Sequence, residues 1–251
     1  MNIQLLRHAT MRMEWNGKCY LLDPMLSPAG TFDATVNTTP TLRNPLVELP
    51  VPQEQAAAVD AVLVTHRHPD HWDEAASALL SRKLPILCQS EDVEAFVQEG
   101  FAQVHGLAAG ESGELHDLRV SRTGGHHGYG AIGHAMGTVS GFVLDDGMQK
   151  LYIAGDTVWC EEVGGVLDQY KPDVTVLFAG EARFVGSGAI TMGLNDIIQV
   201  LRRAPRTKVV IAHMEAWNHC GLTRESLQRD LALEGFAERV FIPADGEMLE
   251  L

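Results

Sequence analysis

Seven residues constrain this chain more than any others: Thr65-His66-Arg67-His68-Pro69-Asp70-His71. Read as H-x-H-x-D-H, they supply three imidazoles and one carboxylate within six positions. All four side chains are of types that ligate borderline first-row metals. Ala61-Val62-Leu63-Val64 before them reads as a buried strand, and Asp73 to Leu80 after them as a helix. Alternate residues of an extended segment project to the same side, so His66 and His68 can reach one metal together. Pro69 disfavours helical geometry at His68 and keeps the turn open. Asp70 and His71 then point elsewhere, toward a second metal.

With 251 residues and 45% hydrophobic content, the chain can bury the full core of an α/β domain. No short-period repeat, low-complexity tract or linker divides it, so one domain over residues 1–251 is expected. No apolar run is long enough to cross a bilayer. Met1 to His8 lacks the charged-then-apolar pattern of a signal peptide, so no membrane partner is expected. Cys19, Cys88, Cys160 and Cys220 are scattered without a C-x-x-C pair, which suggests reduced thiols and a cytoplasmic location. The formal charge of −14 argues against a nucleic-acid-binding surface, and bound cations would neutralise part of it.

Residues 3–23 read as two strands with a hairpin turn at Asn16-Gly17. His8 is left open between a core histidine and a support for the metal shell. Residues 25–58, rich in Pro, Thr and Asn, read as a long flap beside the site, with Arg43 and Asn44 as candidate substrate contacts. Ser90 is expected to cap a helix through Val97, and residues 112–123 read as a strand pair. Gly124, Gly125, Gly128, Gly130, Gly133 and Gly137 mark a segment where backbone approaches closely. Strands follow over Val139 to Leu144, Lys150 to Ala154 and Val174 to Phe178, and an amphipathic helix over Gly193 to Arg203. Thr223 caps a helix over Arg224 to Glu234, with Ser226 in place of the Glu that would complete a capping box.

Three apolar strands end on a metal-ligand residue: Val62-Leu63-Val64-Thr65 on His66, Tyr152-Ile153-Ala154-Gly155 on Asp156, and Val209-Val210-Ile211-Ala212 on His213. In α/β structures, sites gather at the carboxyl ends of strands, where a sheet holds ligands more rigidly than loops can. His126 or His127, from the glycine-rich segment, completes the set.

In this order and spacing, H-x-H-x-D-H, the histidine at 126–127, Gly155-Asp156-Thr157 and the strand-terminal His213 resemble the metallo-β-lactamase-fold hydrolases over nearly the whole chain. His8-Ala9-Thr10 with the later Asp23-Pro24 is similar to the branch containing L-ascorbate-6-phosphate lactonase. The resemblance implies a four-layer αββα sandwich of two mixed β-sheets with metals at one edge. It implies that His66, His68 and a loop histidine bind one metal, that Asp70, His71 and His213 bind a second, and that Asp156 bridges them. A Gly-His pair common in the superfamily favours His126 as the loop ligand; the lactonase-like branch favours His127, the residue preferred here. Glu215, Trp217, Asn218 and His219, after the last ligand, and the remaining His126 are candidate substrate contacts, or packing residues. The Ile190-Thr191-Met192-Gly193 and Ala212 to Cys220 segments depart from the lactonases.

Two divalent cations with two carboxylates leave a site near +2 that favours a hydroxide between them. Asp70, which would orient the nucleophile and later carry its proton, and His213 beside it are the candidate catalytic residues. The expectation is a binuclear hydrolase cleaving a small-molecule ester, lactone or phosphoester. Zn²⁺ is the first choice of metal, with Mn²⁺ and Fe²⁺ also suited to the mixed N/O ligands. A non-catalytic, metal-containing ligand sensor on the same fold is the alternative. A nuclease is disfavoured by the acidic charge, and a di-iron oxidoreductase by the lack of a flavin-binding domain. Similarity to the lactonase-like branch also implies a homo-oligomer.

Overall fold

On the strand that leads into the histidine cluster, Leu63 faces one core while Val62 and Val64 face another. The same alternation runs through the neighbouring strands and generates the layers. The computed structural model describes residues 1–251. The first sheet joins β1 (Asn2–Arg7), β2 (Thr10–Trp15), β3 (Lys18–Leu22), β4 (Ala61–Val64), β5 (Pro85–Gln89) and β6 (Gln103–Leu107), with β14 (Met248–Glu250) outside β1. The second runs in sequence order through β7 (Ser112–Leu115), β8 (Leu118–Thr123), β9 (Gly141–Asp145), β10 (Lys150–Ile153), β11 (Val174–Phe178), β12 (Lys208–Ala212) and β13 (Val240–Phe241). Both sheets are mixed: β14 to β3 and β7 to β10 pair antiparallel, while β3 to β6 and β10 to β13 pair parallel.

The inner faces of the two sheets meet in one core, where Leu5, Met11, Leu63 and Leu87 pack with Val120, Phe142, Val176 and Val210. Helices cover the outer faces. Beyond the one-turn α1 (Gln53–Ala56), α2 (Glu74–Leu79) and α3 (Val93–Gln98) lie over the first sheet, burying Ala76 and Phe96 against Val62, Val64 and Ile86. After the short α4 (Gly130–Met136), α5 (Glu161–Tyr170), α6 (Leu194–Arg203) and α7 (Arg224–Leu233) lie over the second, where Val163, Ile197 and Leu227 meet Tyr152, Leu177 and Ile211. This is the αββα sandwich. No helix is long and apolar enough to cross a membrane.

Several local expectations are corrected. Residues 3–23 form three strands, not two, because His8 takes a left-handed conformation (φ 58°) that turns β1 into β2. Ser90 does not cap a continuous helix; Ser90–Asp92 form a 3₁₀ turn before α3, and the Ser90 side chain makes no cap bond. The glycine-rich segment contains α4, and β6 and α5 were not anticipated. Ser226 does close the capping box of α7: its hydroxyl accepts from Thr223 N at 3.3 Å, while Thr223 Oγ1 accepts from Ser226 N at 3.2 Å. A serine hydroxyl is short but supplies the acceptor that the box requires.

Candidate metal centre

The parallel strands place the ligand-type residues. His66 follows β4, Asp156 follows β10 and His213 follows β12, all at carboxyl ends. Gly155 is needed at its position: φ is 71°, and a Cβ there would lie 2.2 Å from the Ser140 carbonyl oxygen. His213 itself is left-handed (φ 61°), and its N–H donates to the His8 carbonyl at 2.8 Å. That bond ties the ends of β12 and β1, one from each sheet.

Three overlapping groups of donor atoms result: His66, His68 and His127; His66, His71 and Asp156; and His8, Asp70, His71 and His213. Asp156 stands in the middle. Its Oδ2 lies 3.4 Å from His71 Nε2 and 3.4 Å from His127 Nε2, and its Oδ1 lies 3.4 Å from His213 Nε2. Asp70 Oδ2 is 3.3 Å from His213 Nε2. Asp156 Oδ1, His71 Nε2 and His213 Nε2 are buried without a hydrogen-bond partner. Ligands at about 2.0–2.1 Å from a tetrahedral cation are separated by roughly 3.3–3.4 Å. Unsatisfied buried donor atoms at that spacing are what cation ligands look like, since such groups otherwise cost free energy. The residues present therefore fit divalent metal.

Partners behind the cluster fix which nitrogen faces inward. His127 Nδ1 lies 2.7 Å from the Ile190 carbonyl, which can only accept, so Nδ1 carries the proton and Nε2 offers its lone pair. The Thr65 hydroxyl donates to Asp23 Oδ2 at 2.7 Å, leaving its oxygen to accept from His66 Nδ1 at 3.1 Å. Asp23 also accepts from Thr65 N at 2.7 Å and contacts His71 Nδ1 at 2.8 Å. Such carboxylate–histidine contacts orient metal ligands and raise their basicity.

Electrostatics follow from the crowding. Burial alone would lower His71, but Asp156, Asp70 and Asp23 outweigh it and lift its pKa to about 10. His213 is likewise penalised by burial yet driven well above its usual value, chiefly by Asp156. Burial opposes charge on Asp156 and Asp70, but the surrounding histidines hold both carboxyls well below their ordinary range. His8 goes the other way: burial and the neighbouring His213 push it down to about 3.

The structure thus brings together His66, His68, Asp70, His71, His127, Asp156 and His213. His127, 4% exposed, faces the cluster. His126 turns outward to Glu162 at 3.0 Å and lines no part of the cavity over the cluster, so it is not placed as a substrate contact. The backbone enforces this split: a Cβ on Gly125 would come within 2.9 Å of Thr157, whose hydroxyl oxygen accepts from His126 N at 2.8 Å. Of the other candidate contacts, Trp217 and His219 line that cavity. Burial lowers His219 to about 4. Arg43 does not reach it; its guanidinium pairs with Asp33 and donates to the Gly30 carbonyl on the exposed side of the flap. Asn44 is buried but bonds Asn218 at 2.8 Å rather than facing the cavity. Glu215 is spent on Arg224, whose Nη1 lies 2.6 Å from Glu215 Oε2.

Three residues that matter here, Asp23, Phe32 and Phe184, are not assigned a role at the site by the sequence, which leaves His8 open between core and metal shell. His8 Nε2 lies 3.1 Å from Asp70 Oδ2, which places it with the metal shell. Asp23 orients His71. Both follow a strand directly, β1 and β3, so the pattern of a strand ending on a His or Asp would have found them. Phe32 and Phe184, on irregular segments, line the cavity without any periodic signal.

Comparison with known proteins agrees with this fold. The sequence profile of the beta-lactamase superfamily domain matches residues 20–214. The UPF0173 protein YddR of Bacillus subtilis is 35% identical over 252 residues, covering 98% of each chain. The crystal structure of an isothiocyanate hydrolase from Delia radicum gut bacteria superposes with a TM-score of 0.94 at 36% identity, over 100% of this chain and 99% of that one. A possible metal-dependent hydrolase from Veillonella parvula superposes with a TM-score of 0.96 at 29% identity, over 100% and 99%.

Proposed function

The chain belongs to the metallo-β-lactamase-fold hydrolases, the UPF0173 metal-dependent hydrolases among them, and from that premise we propose that it is a binuclear enzyme cleaving a small-molecule ester, lactone or phosphoester. The observation that carries this is the set of unsatisfied inward-facing atoms on Asp156, His71 and His213, spaced as ligands of shared cations. His66, His68 and His127 would hold one ion and Asp70, His71 and His213 the other, with Asp156 offering an oxygen to each. When bound, Zn²⁺, or Mn²⁺ or Fe²⁺ in its place, supplies a Lewis acid and a hydroxide near neutral pH.

The chain's own residues supply the rest. Asp70 Oδ2, at the cavity floor and 3.1 Å from His8 Nε2, orients the attacking water and receives its proton. The water oxygen bonds to the carbonyl carbon or phosphorus, the bond to the leaving oxygen breaks, and the proton passes from Asp70 to that oxygen. His213, packed at 3.7 Å between ring centroids on His8, keeps Asp70 in place. A lactone, the substrate class that similarity to the L-ascorbate-6-phosphate lactonase branch implies, is one such ester.

The isothiocyanate hydrolase similar to this chain over its full length favours a second substrate class. An isothiocyanate is a neutral carbon electrophile. One water adds to its central carbon and the C–N bond breaks, giving an amine and carbonyl sulfide. Either substrate calls for the same variants. His68→Ala and Asp156→Ala should lose metal and turnover together while keeping the circular dichroism of the native protein; full activity in both would refute the reading.

A further inference from the structure

Above the His/Asp cluster lies a cavity of about 340 Å³. Its floor is His68, Asp70, His127 and Asp156, and its walls are largely apolar, with Phe32 and Val36 from the flap and Phe184, Ile190, Met136 and Trp217, while Thr35 and the neutral His219 are uncharged polar groups among them. The Phe32 and Trp217 rings stand 5.8 Å apart. No lysine or arginine lines the cavity. Apart from the floor, its one carboxylate is Asp33, which is itself acidic, 88% exposed and paired outward with Arg43.

This lining discriminates between substrates by charge. Sites that recognise phosphate or carboxylate place arginine, lysine or a helix N-terminus against it. An anionic group carried away from the metals would here lose part of its hydration and gain no cationic partner. An aromatic or branched apolar group would instead bury its surface against rings that favour edge-to-face and offset contacts.

We infer that the site selects uncharged substrates bearing an aryl or aralkyl group, as esters, lactones or isothiocyanates, and rejects relatives that carry an anionic substituent on that group. The inference rests on the hydrolase reading above and narrows its substrate. Phe184 and Phe32 are the walls that set the preference.

The test uses the metal-loaded full chain with its metal content measured. Phenyl isothiocyanate is paired with 4-sulfophenyl isothiocyanate, and phenyl acetate with 4-sulfophenyl acetate, so that only the remote charge changes. In parallel, calorimetric titration compares phenylurea with its 4-sulfonate, neither of which reacts. The neutral member should win in kcat/KM and in affinity by about tenfold or more. Phe184→Ala, with unchanged metal content, should weaken phenylurea binding and shrink that ratio toward one. Equal use of the sulfonated partners, no binding of phenylurea, or a ratio unmoved by Phe184→Ala overturns the inference. Selective phenylurea binding without turnover of any substrate supports the selectivity and overturns the hydrolase reading alone.

Discussion

Asp156 presents one carboxylate oxygen to His71 and His127 and the other to His213, and the residues one layer back decide how well it can do so. Asp23 is the most exposed to test. It spends its carboxylate on Thr65 and His71, so Asp23→Asn keeps the volume but loses the charge that orients and strengthens His71 as a ligand. Metal affinity should fall about 10–100-fold, measured by competition with a chromophoric chelator; an unchanged affinity would show that Asp23 only packs. His71 also sets a pH dependence in metal-free protein. Its pKa is about 10 in the fold against roughly 6.5 when unfolded. The folded state therefore holds this proton more tightly, and the stability it contributes is complete below about pH 6.5 and fades as pH rises toward 10. Melting of the metal-free protein should drop across that window, and metal, which replaces the proton, should flatten the drop.

At the scale of elements, the flap over residues 25–58 is held by side chains from outside it, among which Arg7 and Asn218 make the most bonds. Arg7 is fully buried at the end of β1, and its guanidinium donates to the carbonyls of Met25, Ser27 and Val47. Burial lowers its pKa to about 10, which still leaves it charged at neutral pH. Asn218 holds the other side: its amide nitrogen donates to Thr38 Oγ1 and the Pro40 carbonyl, and its Oδ1 accepts from Thr35 N and Asn44 Nδ2. Asn218→Leu removes these bonds at similar size. Amide exchange across residues 35–40 should accelerate and KM should rise several-fold, with metal content unchanged; exchange at the native rate would mean that the flap's other ties, such as Trp217 Nε1 to Thr35 Oγ1, are enough to fix it. The sequence showed this loop as a break in periodicity. It marked Asn218 as a cavity-lining or packing residue, and the structure corrects the first: Asn218 lines no part of the cavity, and a clasp between residues 174 positions apart leaves no local trace.

Across the whole molecule, the seven ligand-type residues come from the ends of β4, β8, β10 and β12 and the turns after them. Metal bound there would tie the two sheets together along one edge, where the N–H of His213 already meets the His8 carbonyl. A ligand at a thousand times its dissociation constant stabilises the fold by about 4 kcal/mol, or roughly 10 °C in Tm for a chain of this size. Chelation should lower Tm by an amount of that order and re-addition restore it, followed by scanning calorimetry; an unchanged Tm would mean the edge closes without metal.

By itself the sequence determined most of the strands and the identity of the ligand-type residues, because those depend on short-range pattern: alternation along a strand, and a ligand residue at its end; the layers followed only from the resemblance to the metallo-β-lactamase-fold hydrolases. Three outcomes were decided only by the tertiary structure. His127 faces inward while His126 faces Glu162, since the close approach of Gly125 to Thr157 orients that loop. His8 joins the metal shell because a left-handed turn brings it over Asp70. Arg43, Asn44 and Glu215 are structural because other side chains claim them first, Asp33 and Arg224 from nearby in the chain and Asn218 from across the fold. Each depends on which groups meet across the fold, and a linear chain carries that information only through the packing it produces.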